Sequence, residues 1–326
     1  MSKKIGKFLL VDTVSSSPRE KLVVLEDDAG NRYFGKRQDE LFRNDPGANR
    51  LLELEISYME KINSSCVLQF AELVKTDSEA LAVYPKPKGV DLLSLLNKIE
   101  TTEIPERNSI RVYLIKQIIA LALELRNVHN QDDSTENTLI ADFRPESFLI
   151  DTDGNIRAVF LSLSQPESIL NSINPVDDRQ YIAYAAPEQV VPGVSPDWRA
   201  TLFGLGTLIF FISTGKKLFH DNSRRADEFM KSRKERGLHP MVSDSNPELK
   251  DLDEAVSGLL SISRTHREES LSTLNAQVTR LAEASDESKI RQLIQNIVND
   301  LSLSEKPRLW DSQNKEDSDL ITSIFE

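Results

Sequence analysis

Asp142-Phe143-Arg144-Pro145-Glu146-Ser147-Phe148-Leu149-Ile150 is the stretch that decides the fold, with Gly154-Asn155-Ile156 just beyond it. A carboxylate and a cation two residues apart lead into a short apolar strand over 148–150. Asp151-Thr152-Asp153-Gly154-Asn155 then supplies turn chemistry, and an apolar run over 156–161 completes a hairpin. Asp151 and Asp153 are read as residues of that turn.

Downstream, Ala186-Pro187-Glu188 precedes Leu202-Phe203-Gly204-Leu205-Gly206 and Ser213-Thr214-Gly215-Lys216-Lys217-Leu218-Phe219. Leu259-Leu260 through Arg267 comes later, and from 198 onward the pattern is almost all helix. The apolar run Leu202 to Ile212 is too short to span a bilayer, which needs about 20 residues, so it predicts a buried core helix. Ile290, Leu293, Ile294, Ile297, Val298 and Leu301 recur at helical spacing behind Ser285, Asp286 and Glu287. That amphipathic helix is expected to pack on its own domain. Residues 304–326 are polar and acidic.

Upstream, Phe8–Val11, Leu22–Leu25 and Tyr33–Lys36 read as strands. Ser15-Ser16-Ser17-Pro18 and Asp28-Ala29-Gly30-Asn31 read as the turns between them. Residues 48–62 carry a helical pattern, and Val67–Val74 and Ala80–Tyr84 look like strands. After Pro85-Lys86-Pro87-Lys88-Gly89 the character becomes helical, over Leu92–Leu96 and Ile110–Val128.

Composition narrows the function classes. The chain has 326 residues, 39% hydrophobic and 28% charged, as in ordinary globular proteins. A net charge of −12 argues against nucleic acid and anionic membranes as partners. With one cysteine, Cys66, and four histidines, there is no internal disulfide and no Cys/His metal spacing. No signal peptide is read at the N-terminus. A cytoplasmic protein without membrane insertion is expected.

Taken in order, the four segments around 142–156, 186–188, 202–219 and 259–267 resemble the eukaryotic-type protein kinase family, serine/threonine kinase-like, over roughly residues 5–280. They look like its catalytic loop, the end of its activation segment, its central helix and the late helix whose arginine pairs with the Ala-Pro-Glu glutamate. The resemblance implies an α+β, bilobal fold. Residues 1–84 would form the strand-rich N-lobe, 85–284 the helical C-lobe, and 285–326 an amphipathic helix and acidic tail.

It also implies roles. Lys36 stands where the family puts its phosphate-contacting lysine, and Glu55 where it puts that lysine's partner. Asp142 falls at the base position and Arg144 at the catalytic-loop lysine. A kinase site needs two metal ligands, a base, a lysine and a loop over the phosphates. The metal aspartate, eighteen residues after Asp142, is Phe160, and the asparagine position is Ser147. A phenyl ring cannot ligate magnesium, and a hydroxyl is a poor substitute.

Further departures follow. Ile140-Ala141 precede Asp142 where the family has His-Arg, and Thr201 replaces the aspartate that braces the loop. No glycine lies between Phe8 and Leu25 to cradle phosphates. Phe34 replaces the small alanine beside adenine. Tyr84 falls at the gatekeeper, and Pro87, which lacks an N–H, at an adenine-bonding hinge position.

The expectation is therefore a degenerate member, a pseudokinase acting as a protein-binding or allosteric module with little phosphoryl transfer. No cofactor is expected, with weak metal-independent ATP binding left open. The expected partner is a protein, either an active kinase or a basic protein. The alternatives are an atypical serine/threonine kinase using Lys36, Glu55 and Asp142, and, behind it, another transferase on the same fold. The basic cluster Arg224, Arg225, Lys231, Arg233, Lys234 and Arg236 is read as a solvated helix face.

Overall fold

The computed structural model describes residues 4–16, 20–39, 46–62, 64–76, 79–131, 141, 143–159, 184–190, 196–219 and 240–304. The first part of the chain is an antiparallel sheet. Its strands are β1 (Lys4–Ile5), β2 (Phe8–Ser16), β3 (Glu20–Glu26), β4 (Arg32–Gln38), β5 (Glu72–Lys75) and β6 (Ala80–Pro85), in the order β1-β2-β3-β4-β6-β5. Helix α1 (Pro46–Lys61) lies between β4 and β5 in the chain.

Alternation along the strands divides this sheet into two apolar faces. On the outer face Ile5, Phe8, Val23, Leu25, Leu81 and Val83 form one buried cluster. Gly35 also belongs to this face. A Cβ there would stand 2.6 Å from Leu25 Cδ1 and 2.9 Å from Leu81 Cδ1, so only hydrogen fits. On the inner face Val14, Leu22, Val24, Phe34, Ala82 and Tyr84 pack with Leu52 and Ile56 of α1.

A second sheet of three strands, β7 (Gly89–Asp91), β8 (Phe148–Asp151) and β9 (Ile156–Ala158), begins the helical part. Helices α2 (Leu92–Thr101) and α3 (Arg107–Gln131) lie between β7 and β8 in the chain, and α4 (Pro187–Val190), α5 (Arg199–Thr214), α6 (Asp253–Leu259), α7 (Arg264–Glu283) and α8 (Glu287–Ser304) follow β9. Asp91 caps α2, its Oδ1 accepting the Ser94 N–H at 2.8 Å. Helix α5 is the hub. Every residue from Ala200 to Thr214 is buried, and Gly215 ends the helix in the left-handed region at φ 70°. Among the described residues no helix is long and apolar enough to cross a membrane.

Helix α8 packs on this body. Ile290, Ile294, Ile297 and Val298 join the main core. At its rim Lys116 Nζ meets Glu287 at 2.8 Å, Lys289 meets Glu106 at 2.8 Å, and Arg291 Nε donates to Tyr113 Oη at 3.1 Å. Asp286 opens the helix, its Oδ1 accepting the N–H groups of Ser288 and Lys289.

Several local expectations change. Residues 14–16 continue β2 and are not a turn. Val14 is buried, and the pairing of β2 with β3 persists through Ser16 across two register shifts. The run Val67–Val74 is a strand only from Glu72. Val67 instead makes an isolated parallel bridge to Ala158, because its side chain is drawn into the lower core. The hairpin's second strand is described as Ile156–Ala158. The basic cluster 224–236 and most of the expected activation segment lie outside the described residues.

Candidate functional site

Strand β4 supplies the upper wall. Phe34 and Lys36 share its inner face, two residues apart. Lys36 Nζ lies 2.5 Å from Glu55 Oε2 on α1, with the two side chains 2% and 6% exposed. A buried charge pair holds only with close geometry, since each partner has lost its water. Helix periodicity places Glu55 on the same face of α1 as Leu52, Ile56 and Met59, all buried.

Phe34 lies on the same strand face as Lys36. Phe34 is 2% exposed and sits opposite Tyr84 in the β4–β6 register. Its cluster spans both parts of the chain, reaching Leu149 of β8 and Val159 just past β9. Tyr84 in turn meets Phe70 edge-on, ring centroids 5.9 Å apart. Lys86, on the connection to β7, has its Nζ 5.2 Å from the centre of the Phe34 ring. Burial lowers the pKa of this amine, and the Arg32 charge adds to the effect.

The lower wall is built from the loop before β8. Pro145–Ser147 form a 3-10 turn whose Ser147 N–H donates to the Arg144 carbonyl at 2.9 Å. Ser147 is 2% exposed, and its carbonyl accepts the Val159 N–H at 2.8 Å. Arg144 is half-buried. Ahead of the turn, the Ala141 N–H donates to Thr201 Oγ1 at 3.0 Å, both residues being buried. Thr201 therefore holds the start of the loop through a neutral hydroxyl. Phe143 stacks obliquely on Phe148 at 5.8 Å.

Two features at a distance complete the arrangement. Glu188 receives a forked pair from Arg267, at 2.5 and 3.0 Å, with the arginine side chain wholly buried. Asp151 is a turn residue. Its Oδ1 accepts the N–H groups of Asp153 and Asn155, and its Oδ2 pairs with Arg157 Nε at 2.7 Å. Its oxygens are thus engaged within the hairpin. Among the described residues no three His, Cys, Asp or Glu side chains group as a metal site.

Of the residues singled out in the sequence, Lys36 and Glu55 meet, while Arg144 and Ser147 stand on the turn before β8. Asp142 and Phe160 lie outside the described residues. Lys86 is the residue that sequence reading missed. Its position over Phe34 depends on the register that brings Tyr33 opposite Pro85, which no local pattern announces.

No family model and no curated protein matches the chain. Among solved structures, the kinase domain of Mycobacterium tuberculosis PknI is similar at 14% identity and TM-score 0.58, covering 85% of this chain and 98% of that one. A second structure of the same domain gives 13% and 0.59, with 85% and 98% covered. Identity this low speaks for the fold alone. The chain has a protein-kinase-like fold, with a curled antiparallel sheet followed by a helical part.

Proposed function

We propose that this chain is a pseudokinase, a kinase-fold module that acts by binding a protein and transfers little or no phosphoryl group. The observation that carries the reading is Phe34. Phe34 stands two residues from Lys36 on the same strand face and belongs to one buried cluster with Tyr84 and Leu149, where a nucleobase would need an open slot. The residues around it fit a magnesium–triphosphate poorly. Ser147 offers a buried hydroxyl where the family has a carboxamide, and Asp151 spends its oxygens on its own turn.

One observation favours the alternative of an atypical serine/threonine kinase, the retained contact between Lys36 and Glu55. A buried pair of this kind also has a purely structural use, tying α1 to the sheet. Alone it supplies neither a metal ligand nor a base. The binding reading accounts for the pair and for Phe34 together. The net charge of −12 favours a partner with a basic surface.

The direct test is a radiolabel transfer assay with magnesium or manganese and generic protein substrates. The expected result is incorporation no greater than that of a Lys36→Met chain. Transfer well above that background, and lost in Lys36→Met, contradicts the proposal.

A further inference from the structure

Among the described residues, Lys86 is an amine without an anion. Its side chain is half-buried where β6 gives way to β7, with its nitrogen 5.2 Å from the Phe34 ring centre. No carboxylate among the described residues pairs with it. The charged neighbour that acts on it is another cation, Arg32, at the same end of the β4–β6 ladder, just before the Tyr33–Pro85 pair as Lys86 is just after it. Arg32 is itself tied to Glu26 at 3.4 Å, so that carboxylate is directed at the guanidinium.

These surroundings bear on reactivity. An ammonium needs water or an anion to stay charged; Lys86 has been separated from much of the one and, among the described residues, lacks the other. The ring face returns some stabilisation, but a cation–π contact offsets only part of lost hydration. Desolvation and a neighbouring cation are the two devices that turn a lysine into a nucleophile. Lys88, two residues on, is exposed and provides an internal reference.

We propose that Lys86 is a site of acylation by activated acyl donors of the thioester class. The neutral amine attacks the thioester carbonyl carbon. A carbon–nitrogen bond forms, the carbon–sulfur bond breaks, and sulfur leaves with the electron pair. The thiolate is balanced by the proton that the amine sheds, and nothing is oxidised or reduced. The product is a neutral amide whose acyl group lies beside Phe34, at the join between the sheet and the helical part. The proposal does not require the nucleotide-free reading above.

The test uses the intact folded chain and the acetyl thioester of N-acetylcysteamine near neutral pH, with acetylation followed at each lysine by mass spectrometry. Lys86 is expected to react several-fold faster than Lys88, although Lys88 is the more accessible. Arg32→Gln removes an exposed charge and is expected to narrow that ratio. Lys86 reacting no faster than Lys88 overturns the proposal. A ratio unmoved by Arg32→Gln contradicts the assigned activation.

Discussion

Thr201 accepts the backbone N–H of Ala141 at 3.0 Å, inside the core and sixty residues along the chain. The central helix thereby keeps its hold on the loop that carries Asp142, Arg144 and Ser147. A hydroxyl suffices for this task, since a backbone donor needs an acceptor and not a charge. The start of the loop is thus held by a neutral hydroxyl from the central helix.

Thr201→Val keeps the shape and removes the acceptor, leaving a buried N–H unpaired. The expected loss is about 1–3 kcal/mol. Thr201→Ser is expected to retain most of the stability. Chemical denaturation of the three chains checks this, and equal midpoints for Val and Thr contradict it.

Lys36→Met takes the ammonium away from the buried Glu55 carboxylate, at an expected cost of roughly 3–5 kcal/mol. The double replacement Lys36→Met with Glu55→Leu removes both charges and is expected to recover much of that loss. A double-mutant cycle in urea measures the difference. A double variant as unstable as the sum of the singles contradicts a paired, buried role.

Phe34→Ala empties the middle of a cluster that joins the sheet to Leu149 and Val159. Truncating a buried phenylalanine typically costs about 3–5 kcal/mol. A loss below about 1 kcal/mol, far under that range, contradicts the filled slot.

The rim of α8 sets a pH dependence. The Lys116 amine beside Glu287 holds its carboxyl below the usual carboxylate range. A lowered folded-state pKa stabilises above the ordinary carboxylate value, and the contribution disappears as pH falls through the folded-state value. The pair is mostly exposed, so the effect is small, within about 1 kcal/mol. Hydrogen exchange of α8 amides is expected to quicken on acidification more in the wild type than in Glu287→Gln. Identical acid responses contradict the assignment.

Much of the fold was legible because several signals were local. The strand pattern located Tyr33–Lys36 and the helical pattern located residues 48–62, while the pairing of Lys36 with Glu55 followed from the resemblance. The forked contact of Arg267 with Glu188 followed from the resemblance, and the role of Asp151 from its turn sequence. What escaped was set by tertiary packing. The serines before residue 17 suggested a turn, yet burial of Val14 and pairing with β3 extend the strand. Two residues, Lys4 and Ile5, are too few to announce β1. Val67 bridges to Ala158, ninety-one residues away, and Lys86 reaches Phe34 only once β4 and β6 are paired.

The central claim is that the cleft beside Lys36 is closed to nucleotide. Calorimetric titration of ATP into the intact chain, with and without magnesium, tests it most directly. The account predicts no saturable, magnesium-dependent heat up to about 1 mM ligand, the weak end of ordinary affinities. Saturable binding that requires magnesium and vanishes in Lys36→Met would contradict it.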